Sequence, residues 1–110
     1  KMAQNFRRYI ARNTGTSPAT IFTADSFDTV IGIRCANVHA TSPATVSVYI
    51  NDGSNDHYIL KGAPIPVGSS LELIDGGAKI VVDSGDILKV VSDTASSIDT
   101  WVSCVDAIST

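Results

Sequence analysis

Thr45-Val46-Ser47-Val48-Tyr49-Ile50, followed at once by Asn51-Asp52-Gly53-Ser54-Asn55-Asp56, decides how this chain folds. In the first stretch branched and polar side chains alternate, which puts Val46, Val48 and Ile50 on the core side of a strand and turns Ser47 and Tyr49 outward. The second stretch is rich in asparagine, aspartate and glycine, residues that accept the positive φ of a hairpin turn. Residues 57–60 then form the returning strand.

The same signature spreads in both directions. Residues 6–11, 20–23, 29–40, 70–74, 79–82, 86–91 and 100–108 are each predicted as a strand, with valine, isoleucine and threonine frequent among their apolar and branched side chains. Turn residues separate them: the loop Arg12-Asn13-Thr14-Gly15-Thr16-Ser17-Pro18, then Asp75-Gly76-Gly77, Asp83-Ser84-Gly85 and the polar run 92–97. No comparable stretch carries the three-and-four spacing of an amphipathic helix. Ala63-Pro64-Ile65-Pro66 is read as a crossing or a sheet edge, because each proline removes a ladder donor. Thr16-Ser17-Pro18-Ala19-Thr20 recurs as Thr41-Ser42-Pro43-Ala44-Thr45, a proline-directed turn feeding a strand each time.

Within 29–40, Ile31, Ile33 and Cys35 share one parity while Ala36 and Val38 take the other. Either a bulge or bend falls near residues 34–36, or both faces are covered. The runs Ile80-Val81-Val82 and Ile87-Leu88-Lys89-Val90-Val91 predict strands covered on both sides, by a second sheet or by another subunit. The expected fold is all-β, a two-sheet sandwich of jelly-roll or Greek-key type with about eight short strands. Residues 16–110 form the single sandwich domain, and residues 1–15 a basic N-terminal arm or first strand.

With 110 residues, 44% hydrophobic and 17% charged, the chain has the balance of one compact domain. It contains no apolar run of about 18 residues, so no membrane-spanning helix is expected. Charge is uneven. Lys1, Arg7, Arg8 and Arg12 are four of the eight basic residues, no acid precedes Asp25, and the remainder sets four cations against eleven acids. Arg7, Arg8 and Arg12 are therefore candidate assembly contacts: either a solvated strand tip or an arm that docks on an acidic neighbour, for which this protein's own acidic body qualifies. A net charge of −3 and the lack of an aromatic-basic platform argue against nucleic acid.

Catalytic chemistry finds little to work with. Only His39 and His57 could serve as a base for a serine or cysteine nucleophile, and no nucleophile-elbow pattern accompanies them. Most aspartates sit in turns, where they cap backbone amides. Asp52, Ser54 and Asp56 imitate the opening of a calcium loop, but the twelfth position is Ala63 instead of a bidentate glutamate. Val67-Gly68-Ser69-Ser70 lacks the following lysine of a phosphate loop, and no dinucleotide fingerprint occurs. Neither a metal nor a cofactor is expected. Cys35 and Cys104 fit no zinc or redox spacing and read as buried small hydrophobes, a disulfide between neighbouring strands being the alternative. Trp101 alternates with Ser103 and Val105, as a packing or interface aromatic or as a sugar-stacking platform.

Taken together, these segments resemble small virion structural proteins of tailed bacteriophages, particularly of marine phages with contractile tails. The likeness is carried by Asn5-Phe6-Arg7-Arg8 with Gly15-Thr16-Ser17-Pro18, by Ala36-Asn37-Val38, by the stretch from Tyr58-Ile59-Leu60-Lys61-Gly62-Ala63-Pro64 to Ile65-Pro66-Val67-Gly68-Ser69-Ser70-Leu71, by Gly85-Asp86-Ile87-Leu88-Lys89-Val90, and by Ala95-Ser96-Ser97-Ile98-Asp99 with Val102-Ser103. It implies a non-enzymatic virion component, a head decoration or a tail- or fibre-associated module, assembled in the host cytoplasm. By the same analogy its partners are other virion proteins and copies of itself, a trimer being favoured. The alternative is a module recognising carbohydrate or a host receptor through Tyr49, Tyr58 and Trp101.

Overall fold

The computed structural model describes residues 5–74 and 79–106, with the side chains of residues 5 and 106 left aside. Among them lie nine strands and no helix: β1 (Asn5–Thr14), β2 (Ala19–Thr23), β3 (Asp28–Asn37), β4 (Ala44–Asn51), β5 (Asp56–Ile65), β6 (Ser70–Glu72), β7 (Ile80–Val82), β8 (Ile87–Ser92) and β9 (Ile98–Asp106). They pair antiparallel in two sheets. One has the order β1-β9-β3-β6 with β7 also on β3, and the other β2-β8-β4-β5. The expected two-sheet sandwich is what forms.

β6 and β7 share one edge position. β6 pairs with Arg34, Cys35 and Ala36, and β7 with Asp28, Thr29 and Val30, so the two short strands lie end to end along β3. Counted by position the sandwich has eight places, four in each sheet.

The core lies between the sheets. Val30, Ile33, Cys35 and Val102 from one sheet meet Val46, Val48, Leu88 and Val90 from the other, all essentially fully buried. Full burial of an aliphatic side chain of this size contributes about 1.5–3 kcal/mol, so the alternating pattern is what drives the layers together. Tyr9 of β1 stacks on Phe22 of β2 with ring centroids 4.3 Å apart, closing the sandwich along that side.

Several local expectations are corrected. No bulge falls near residues 34–36: Ile33 and Cys35 turn inward while Ala36 lines the outward face and Val38 is exposed, and the bulge of β3 lies instead between Val30 and Gly32. Ile31 is the extra residue, so Val30, Ile33 and Cys35 all turn inward while Ile31 stays partly exposed. Beyond the bulge, Glu72 supplies what the interrupted edge cannot: its Oε2 accepts the Ile33 amide at 3.0 Å. β1 runs on to Thr14, so Arg12 is a strand residue and not part of a loop. β3 stops at Asn37, before the expected residue 40, because the Asn37 side chain organises the turn. Its Nδ2 donates to the Ser42 and Ile65 carbonyls and its Oδ1 accepts the His39 amide. β5 continues through Pro64, which is tolerated because β5 is an edge strand bonded to β4 alone. β6 ends at Glu72, short of residue 74, and β9 begins at Ile98, ahead of residue 100. The expected continuation of the last strand to 107–108 and the turn at 75–77 lie outside the described residues.

Candidate functional site

The outward face of the β1-β9-β3 sheet is where the exposed apolar surface gathers. Register brings Ile10 of β1 opposite Trp101 of β9, Trp101 opposite Arg34 of β3, and Arg34 opposite Glu72 of β6, one row across four strands. The neighbouring row is Arg8, Ser103 and Gly32. Two of its three members are small, so the floor drops beside the Trp101 ring and leaves a hollow of about 380 Å³ lined by Gly32, Arg34, Glu72, Trp101 and Ser103. On the other side of the same row a larger hollow of about 700 Å³ is bounded by Ile10, Arg12, Arg34, Ala36, Asp99 and Trp101. A third, of about 350 Å³, lies between Phe6, Arg7, Arg8, Ile31 and Ser103.

Trp101 is 52% exposed although it sits on a strand flanked by neighbours on both sides, and Phe6 is 74% exposed. The Arg8 guanidinium lies 5.6 Å from the Trp101 ring centroid, in cation–π range. Arg34 Nε is 3.5 Å from Glu72 Oε1. Glu72 thus ties a cation of this face to the backbone of the bulge. Asp99 is engaged by the neighbouring strand β1, its Oδ1 accepting the Asn13 amide at 2.8 Å.

The residues expected from sequence are divided between surfaces. Arg8 and Arg12 project on the same side as Phe6 and Ile10. Arg7 falls on the opposite parity, across from Cys104, but remains exposed and lines the third hollow. The trio Tyr49, Tyr58 and Trp101 is split: Trp101 belongs to one sheet, and Tyr49 and Tyr58 pair across β4 and β5 in the other, with centroids 5.0 Å apart. Tyr49 sits on the outward parity, but Tyr58 covers it and leaves it 6% exposed, while Lys61 Nζ sits 4.8 Å from the Tyr58 ring. The site residues missed in the sequence are Ile10, Arg34, Glu72 and Asp99. Once the bulge is placed, the two-residue period puts Arg34 outward beside Trp101, and that was the available signal.

The remaining candidates do not converge. His39 Nδ1 accepts the amides of Thr41 and Ser42, which makes it a turn cap. His57 Nε2 lies 2.8 Å from Asp52 Oδ2 in the exposed β4–β5 hairpin. Asp52 also accepts the Ser54 and Asn55 amides, and these bonds hold its carboxyl well below the usual carboxylate range. Among the described residues no group of three histidine, cysteine, aspartate or glutamate side chains is placed to hold a metal. Cys35 and Cys104 are both buried thiols outside any disulfide. They stand opposite Thr100 and Val30 respectively, so the inter-strand disulfide alternative is not realised.

No family model and no curated protein matches the sequence. Solved structures do resemble the fold. A protein of Bacillus endospore appendages, described as a novel family of disulfide-linked pili, is 14% identical with a TM-score of 0.55, covering 98% of this chain and 89% of that one. A pentameric capsid protein from metagenomic phage sequences is 17% identical with a TM-score of 0.54, over 94% of this chain and 62% of its own. Another structure of that description gives 16%, 0.51, 94% and 64%. The likeness is one of fold. This chain spans less than two thirds of the capsid proteins' length.

Proposed function

We propose that this chain is a non-enzymatic structural protein of a bacteriophage particle, acting by assembly with copies of itself and with other virion proteins. The observation that carries the reading is the outward face of the β1-β9-β3 sheet, where Trp101, Ile10 and Phe6 stand exposed among Arg8, Arg12 and Arg34. Exposed aromatic and apolar side chains interleaved with arginine are the composition of protein–protein contacts. The strand order β1-β9-β3-β6 over β2-β8-β4-β5 supports the jelly-roll reading, an arrangement common among viral capsid domains. Likeness to a pentameric phage capsid protein supports a closed homo-oligomer in a virion, and likeness to a spore pilus protein supports an assembly role in general.

Light scattering after size exclusion, over a wide concentration range, tests the self-association. A discrete oligomer weakened by Trp101→Ala is expected, and a strict monomer at high concentration would overturn it. A second reading, carbohydrate or receptor binding, is favoured by the half-exposed Trp101 ring beside the largest hollow, with Arg34 and Asp99 at its rim. Glycan-array binding lost in Trp101→Ala would establish it, and an empty array would remove it.

A further inference from the structure

We propose that the outward face of the β1-β9-β3 sheet receives a second copy of this chain, and that the part docking there is the end of the sandwich formed by residues 24–27, 51–56 and 83–86. This rests on the assembly reading above and specifies its geometry.

Those three segments meet at one end. The Ala24 amide donates to the Asp86 carbonyl and the Gly85 amide to the Ala24 carbonyl, and Asn51 lies in register with Ile87. Their charge is of one sign: Asp25, Asp52, Asp56, Asp83 and Asp86 stand there with no lysine or arginine in any of the three segments. Asp52 and Asp83 are held in place by amides of their own turns. The sheet face carries three arginines against two acids. Arg8, Arg12 and Arg34 project from it, while Glu72 is committed to Arg34 and the Ile33 amide, and Asp99 to the Asn13 amide.

The apolar surfaces correspond as well. Phe27 stands 60% exposed at the acidic end, a single large knob, and the face offers the hollow between Ile10, Ala36 and Trp101. Among the described residues no ion pair joins Arg8, Arg12 or Arg34 to an aspartate of the acidic end within one copy, and Arg34 lies six positions along β3 from Asp28, about 20 Å at the usual rise per residue. The complementary charges are therefore open to a second copy. Because the two surfaces differ, the contact is head-to-side and repeats, closing into a ring where the rotation allows and otherwise running on as an open filament. A two-fold contact of the face with itself would instead bring its net positive charge against itself.

Charge reversal on the full-length chain tests this. The face variant carries Arg8→Glu and Arg12→Glu, and the end variant Asp25→Lys and Asp56→Lys, with circular dichroism and thermal melting confirming that each folds. Light scattering is expected to show that wild type forms an oligomer weakened by salt, and that each variant alone associates at least about tenfold more weakly. An equimolar mixture should associate again, because intact and doubly reversed contacts are then both attractive. Wild type that assembles together with an end variant that assembles equally well overturns this geometry and leaves the assembly reading standing. A mixture of folded variants that stays monomeric also overturns it. Wild type that is monomeric throughout removes the assembly reading itself.

Discussion

The Arg8 guanidinium rests 5.6 Å from the centre of the Trp101 ring, bridging the edge strand β1 and the central strand β9 on the outward face of their sheet. Trp101 is the chain's single tryptophan, so its fluorescence reports this face alone. In the dissociated protein it should emit as a solvent-exposed indole and be readily quenched by acrylamide. On association the emission should shift to the blue and quenching should fall. Trp101→Ala should cost about 1 kcal/mol of stability or less, since it removes an exposed cation–π contact and no core.

Asn37 is buried and makes three bonds, to the Ser42 carbonyl, the Ile65 carbonyl and the His39 amide. Through Ile65 it fastens the end of β3 to the edge strand of the other sheet. Asn37→Ala leaves those groups without partners and should cost about 2–4 kcal/mol in urea denaturation. Asn37→Asp, which cannot donate to either carbonyl, should not restore the loss.

Gly15 approaches the backbone of the turn before β9. A Cβ there would lie 3.1 Å from the Ser96 nitrogen and 3.2 Å from the Ala95 Cα, and backbone gives way less easily than a side chain tip. Gly15→Ala should lower stability by about 1–3 kcal/mol. Gly32, whose nearest neighbours would sit at 3.7 and 3.8 Å, should accept alanine with far less change.

Asp93 accepts the Thr45 amide at 2.8 Å and the Thr94 hydroxyl, and these bonds lower its pKa from the ordinary 3.8. Its depressed folded-state value means that the stabilisation is present above the ordinary value and is lost as pH falls through the lower one. Denaturation midpoints of wild type and Asp93→Asn should therefore differ at neutral pH and converge in strong acid.

Cys35 is fully buried and desolvation pushes its thiol up to about 11, with Cys104 equally enclosed. Neither should react with Ellman's reagent in the native state at neutral pH, and both should react on unfolding. A native protein that titrates thiols rapidly would contradict the core described here.

The layers were legible in the sequence because Thr45 to Ile50 and its neighbours obey a two-residue period that admits one inward face. The site was less legible. Arg8, Arg12 and Trp101 were visible as residues, but their meeting depends on β1 and β3 both flanking β9, a long-range pairing that no local pattern encodes. A bulge was expected near residues 34–36, yet it lies between Val30 and Gly32, and Glu72, a partner distant in sequence, accepts the amide of Ile33 just beyond it. Tyr49 illustrates the opposite failure: its outward parity held, and a neighbour on β5 buried it all the same.

The end-to-end arrangement of β6 and β7 bears on how growth stops. A rim built from two three-residue pieces offers incoming chains no continuous row of free amides and carbonyls to copy, and the rim at β5 is broken by Pro64. Fibrillar templating is thereby hindered along those two of the four sheet edges, β1 and β2 forming the other two.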